Sequence, residues 1–106
     1  MAKATKKTDQ AVRSILQTLQ VQYRANHPKA SIEAYRYNPA SIRIRIIDPD
    51  FKRINRLDRE ELVDPILEKL PEDIRSEITL LLLLTPEEQQ ESMGSMEFDN
   101  PTPSLL

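Results

Sequence analysis

The chain contains no cysteine and one glycine, Gly94, among its 106 residues. Without cysteine there is no disulfide, no thiolate metal site and no cysteine nucleophile, a composition that suits a reducing compartment. With its lone glycine near the C-terminal end, the chain cannot build a glycine-rich loop to cradle phosphate. Long apolar runs are missing too. The longest, Leu80 to Leu84, is far short of the ~20 residues a membrane span needs. The opening stretch MAKATKKTDQ has cations with no apolar run behind them, so it does not read as a secretory signal. A cytoplasmic location without membrane contact is therefore expected.

What is present fits one small domain. The 39% hydrophobic and 30% charged content is that of a globular chain with polar ends, long enough for one modest core. The net charge of -2 conceals a division. Residues 1–60 hold 13 Lys and Arg against 6 acidic residues, whereas residues 61–106 hold 2 against 11. Either the two halves attract each other in the folded state or in a dimer, or the basic half forms a face for an anionic partner.

Periodicity places the elements. Val12, Ile15, Leu16, Leu19 and Tyr23 recur at helical spacing from about Asp9 to Ala25, with Thr8 as the expected N-cap and Pro28 ending the run. Ala30 to Tyr37 and Ser41 to Ile47 read as strands joined by the Asn38-Pro39-Ala40 turn, hence an antiparallel hairpin. In the second strand Ile42, Ile44 and Ile46 alternate with Arg43 and Arg45, so one face seeks a core and the other carries cations. Asn55 then caps a helix whose apolar stripe is Leu57, Leu62, Val63, Ile66, Leu67 and Leu70, with Pro65 expected to kink or divide it. A short helix begins at Pro71, Ile78 to Leu84 forms a third strand, and Thr85, Pro86 and Glu88 start another helix. The expected fold is α+β, ordered α-β-β-α-(α)-β-α, a three-stranded mixed sheet with helices packed on one face. Residues 8–91 form the domain, residues 1–7 a disordered basic N-terminus and residues 92–106 a flexible tail.

SIRIRIIDPDFKRINRLDREELVDPIL and ITLLLLLTPEEQ carry a family likeness. They resemble the central segment of BolA-like proteins, in which a strand ends in a Phe-containing turn and leads into a helix, and the last strand with its following Thr-Pro-Glu. The resemblance spans Thr8 to Gln90. It implies the BolA fold, similar to type II KH domains, and a regulatory rather than catalytic role. Many members pair with monothiol glutaredoxins and share an iron-sulfur cluster, and some are thought to bind DNA. The family's ligand positions differ in this chain. The histidine expected before the last strand is replaced by Arg75-Ser76-Glu77, and the loop that should supply a Cys or His reads Asn38-Pro39-Ala40-Ser41. Lys52 and Arg53 follow Phe51 where the family has glycine, and Asp58-Arg59-Glu60 stands where an Arg-His-Arg-like run is usual. The glycine-rich RNA-clamping loop of KH domains cannot form either. No iron-sulfur cluster, other cofactor or metal is expected, because soft clusters need thiolate or imidazole donors.

No catalytic residues are expected. The pairs Glu60-Glu61, Glu72-Asp73 and Glu87-Glu88 sit at helix starts or on solvent faces, where carboxylates serve the helix dipole. His27 has no evident ligand partner in the sequence. The candidate binding set is Arg43, Arg45, Lys52, Arg53, Arg56 and Arg59: the cations near the start of the second long helix oppose its dipole, which invites an anionic partner. A second candidate is an apolar strip of Ile47, Leu81 and Leu83 on the arginine side of the sheet, covered by a second copy, another protein or the tail. The expected function is a non-enzymatic protein-interaction or regulatory module, with a homodimer through the open sheet face as one candidate assembly. The alternative is a nucleic-acid-binding module using the same cations on phosphates. On this reading Phe51 anchors the core near Leu57 and Leu62, and reversing charge at Arg43 and Arg45 leaves folding nearly intact.

Overall fold

A computed structural model describes residues 9–105; Thr8 and the N-terminal stretch expected to be disordered lie outside the described residues. The α+β class, the order of the elements and the mixed three-stranded sheet are those expected from the sequence. The elements are α1 (Gln10–Gln22), β1 (Ser31–Asn38), β2 (Ser41–Ile47), a 3-10 turn (Pro49–Phe51), α2 (Arg56–Leu67), α3 (Glu72–Arg75), β3 (Ile78–Leu84), α4 (Pro86–Glu91) and α5 (Met93–Asp99). Strand order is β1-β2-β3. β1 pairs antiparallel with β2, and β3 pairs parallel with β2 after the helical crossover.

Local chemistry accounts for the element ends. Asp9 is the N-cap of α1, its carboxylate accepting from the Val12 amide at 3.1 Å. Asn38 bends the hairpin by accepting from the Ala40 amide at 2.8 Å. Asn55 caps α2, and Pro65 sits so near its end that the helix simply stops at Leu67, undivided. Thr85 and Glu88 form the expected capping box at α4.

The isoleucine face holds the core. Ile42, Ile44 and Ile46 are fully buried beneath Val12, Ile15 and Leu19 of α1 and Val63 and Leu67 of α2. Phe51 is 0% exposed, with Tyr23 6.1 Å away, centroid to centroid. Its expected neighbours are elsewhere: Leu57 is 65% and Leu62 40% exposed. Helix α2 presents Arg59, Val63 and Leu67 inward at four-residue steps, which turns Leu57 and Leu62 outward.

Two further expectations are corrected. In β3, Leu81 and Leu83 lie opposite Ile44 and Ile46 and so belong to the core face; Leu80, Leu82 and Leu84 lie opposite Arg43, Arg45 and Ile47. A register shift between Ile42 and Arg43 skips Thr79 and reverses the alternation after Ile78. The stretch expected to be a flexible tail forms α5. Ser92 caps it by accepting from the Ser95 amide at 3.0 Å, and Ser95 and Phe98 are buried. It packs against the sheet face that α1 and α2 leave open. Gly94 allows the close approach, since a Cβ there would lie 3.1 Å from a Leu82 methyl. No helix among the described residues is long and apolar enough to cross a membrane.

Candidate functional site

The six candidate cations divide into two groups. Arg43, Arg45 and Arg59 are consumed inside the fold. Arg45 is 3% exposed. It donates from Nε and Nη2 to the two oxygens of Glu33 at 2.7 and 3.0 Å, from Nη1 to Ser95 Oγ at 2.7 Å, and pairs with Asp99 at 2.9 Å. Burial works against its charge, but Glu33 and Asp99 outweigh burial and raise its pKa. Arg43 lies 3.6 Å from the Tyr37 ring centroid and donates to Glu97 at 3.0 Å. Tyr35 donates to the Phe98 carbonyl at 2.6 Å, Tyr37 to the Thr102 carbonyl, and Asn38 to Ser104 at 3.0 Å. The arginine face is thus covered by this chain's own C-terminal segment.

Arg59, 8% exposed, is a tie between elements. It donates to the Ile54 carbonyl at 2.7 Å, to the Leu83 carbonyl at 2.9 Å and in bidentate fashion to Glu88 at 2.6 and 3.0 Å. That contact holds the Glu88 carboxyl below its ordinary range. Together with Arg36–Glu77, Arg43–Glu97 and Arg45–Asp99, it joins the basic half of the chain to the acidic half.

Lys52, Arg53 and Arg56 are exposed. None of them makes an ion pair among the described residues. Arg53 has φ 70°, the one left-handed backbone among the described non-glycine residues. The basic turn stands beside a cleft of about 590 Å³ between the start of α2, the end of β3 and the α4–α5 corner. Arg56 and Arg59 line one wall, Glu88, Glu91 and Met93 the other, and Met93 is 82% exposed. Sequence reading did not place the α4–α5 corner against the basic turn. The available signal was local: Ser92 three residues before Ser95 is an N-cap pattern that starts a helix, with Phe98 one turn further on.

His27 does acquire partners, which sequence spacing concealed. Its ring stacks on Tyr23 at 4.3 Å, and Nδ1 lies 2.9 Å from Asp50 Oδ2 and 3.5 Å from Asp48 Oδ2. These three residues offer possible metal ligand atoms within 4.8 Å of one another. The buried Asp48 carboxylate is already engaged, accepting from the Tyr23 hydroxyl at 2.7 Å and the Asp50 amide at 2.9 Å. The group therefore works as a latch between the end of α1 and the turn after β2.

Set beside known proteins, the chain matches no family model, no curated protein and no solved structure.

Proposed function

We propose that the chain is a non-enzymatic, BolA-like interaction module of the cytoplasm that holds no iron-sulfur cluster and docks an acidic segment of a protein partner at Lys52, Arg53 and Arg56 and in the adjoining cleft. The observation that carries this reading is Arg53. A non-glycine residue at positive φ costs of order 1 kcal/mol, and this one is exposed and makes no ion pair among the described residues to offset the strain. Arg56 sits at the start of α2, where a cation also opposes the helix dipole. Both choices cost stability, so a use outside the monomer is the economical explanation. Kinship with BolA-like proteins rests on the quoted segments and on the matching element order.

The nucleic-acid alternative now has fewer cations to draw on, because Arg43, Arg45 and Arg59 already serve carboxylates of this chain. The test compares the full chain with a Lys52→Glu, Arg53→Glu variant of equal thermal midpoint. Quantitative affinity capture from the native cell is expected to lose a defined protein partner in the variant. Polarisation with mixed DNA and RNA is expected to show no binding at physiological salt. An unchanged captured set overturns the reading. Nucleic-acid binding that weakens with salt and with the variant replaces it by the alternative.

A further inference from the structure

The latch at His27 joins two segments of the chain. His27 lies in the loop between α1 and β1, and Asp48 and Asp50 flank Pro49 in the turn after β2. Asp48 is 0% exposed, yet neither it nor Asp50 pairs with a Lys or Arg among the described residues. Their ion-pair partner there is His27, a cation only when protonated. A buried carboxylate is ordinarily balanced by a nearby positive charge, so this one calls for a cation.

The spacing of the donor atoms says which kind. His27 Nδ1 is 2.9 Å from Asp50 Oδ2 and 3.5 Å from Asp48 Oδ2. An ion with bonds of ~2.0–2.2 Å and ligands ~90–110° apart holds its donor atoms ~2.9–3.5 Å from one another. Both separations at the ring nitrogen are therefore already those of a coordination shell, with a hydrogen-bonded proton in the place of the ion. The ligands are also held in position. The Tyr23 hydroxyl donates to Asp48 Oδ2 at 2.7 Å, the Asp50 amide donates to Asp48 Oδ1 at 2.9 Å, and the Tyr23 ring stacks on the imidazole at 4.3 Å. Neither hydrogen bond to Asp48 blocks an ion, because each carboxylate oxygen has two lone pairs. The Asp50 side chain is half exposed, which leaves an entry path and room for waters to complete the shell.

We propose that His27 Nδ1, Asp48 Oδ2 and Asp50 Oδ2 bind one divalent transition ion of the zinc type. An imidazole nitrogen suits such an ion and not magnesium or calcium, which take oxygen ligands. Two carboxylates and a neutral imidazole match a charge of +2. As the ion enters, the proton between Nδ1 and Asp50 leaves to solvent, and the ring keeps its hydrogen on Nε2. The bound ion cross-links the loop after α1 to the turn that leads into Lys52 and Arg53. It uses neither of those cations, so the site stands apart from the docking site proposed above.

The test uses the full chain without an affinity tag, stripped with a chelator and titrated with zinc chloride alone. Calorimetry is expected to show one zinc per chain, and zinc to raise the thermal midpoint until a chelator is added. The chain has one histidine and no cysteine, so ring resonances of His27 report this site. They are expected to shift with zinc at the same midpoint. His27→Gln and Asp50→Asn are each expected to weaken zinc binding at least tenfold, with circular dichroism confirming the fold. Asp50→Asn keeps the side-chain shape at an exposed position, so the test holds even where His27→Gln also loosens the latch. Magnesium is expected to bind at least tenfold more weakly than zinc. No saturation below millimolar zinc, His27 resonances that do not move, folded variants that bind as wild type does, or magnesium bound as tightly as zinc overturns the proposal. Each measurement uses this chain alone, so its outcome is independent of partner capture.

Discussion

The guanidinium of Arg45 lies 4.4 Å from the centroid of the Phe98 ring, so a cation from the central strand is covered by the last helix of the same chain. This contact joins what sequence reading treats as two separate features, an outward arginine face and a flexible tail. Because Glu33, Ser95 and Asp99 complete the shell around the same guanidinium, Arg45 is a structural residue.

Arg45→Glu, alone or with Arg43→Glu, is expected to destabilise the fold by about 3–5 kcal/mol, the usual consequence of removing one partner from a buried charged network. This reverses the expectation that these changes leave folding nearly intact. Urea unfolding followed by circular dichroism measures it. Phe98→Ala is expected to expose the C-terminal segment to limited proteolysis while residues of the main core stay protected. Equal protease resistance in wild type and variant argues against docking of α5.

Phe51→Ala is expected to cost about 3–5 kcal/mol, enough to unfold a domain of this size. The loss comes from contacts with Tyr23 and with the Arg59 guanidinium 5.4 Å from its ring centroid, not from Leu57 or Leu62. Leu57→Ala is expected to change stability by less than about 0.5 kcal/mol, as at other exposed positions. Matched chemical denaturation of both variants decides the assignment.

Arg53→Gly is expected to raise stability by about 1 kcal/mol, because glycine adopts positive φ without the Cβ clash. The same change is expected to weaken partner capture. A thermal midpoint that drops, with partner capture unchanged, removes the argument that strain at Arg53 is kept for docking.

Acid is expected to loosen the fold. Thr102, then Arg43, hold the Glu97 carboxyl below its ordinary value of 4.5, and Arg59 does the same for Glu88. A depressed carboxyl pKa contributes stability that is present above the unfolded value and is lost as pH falls through the folded one. Stability is therefore expected to decline below about pH 4.5. Asp64 acts in the opposite sense, since burial, then Glu60 and Glu68, raise its pKa and protonation relieves both. Glu97→Gln is expected to release the C-terminal segment at neutral pH and to flatten its acid response, read from the Thr102 amide resonance across a pH series. An unchanged Thr102 response shows that Glu97 does not hold the segment.

Sequence alone was enough for the hairpin, the crossover and the caps, because each is written in neighbouring residues. Alternation of Ile42, Ile44 and Ile46 selects one strand face, Thr85 and Glu88 close a capping box, and Val12, Ile15 and Leu19 recur at one helical turn. It also identified the cations, though not their roles. Tertiary structure decided three matters. It set the facing of β3, since a run of leucines has no period-two signal and the register shift at Thr79 arises only on pairing with β2. It chose the partner of each charge, since Arg45 meets Ser95 and Asp99 some fifty residues along the chain, beyond the reach of any local pattern. And it folded the acidic C-terminal segment over the basic strand face, because a weak helix such as α5 is stabilised chiefly by the surface it covers.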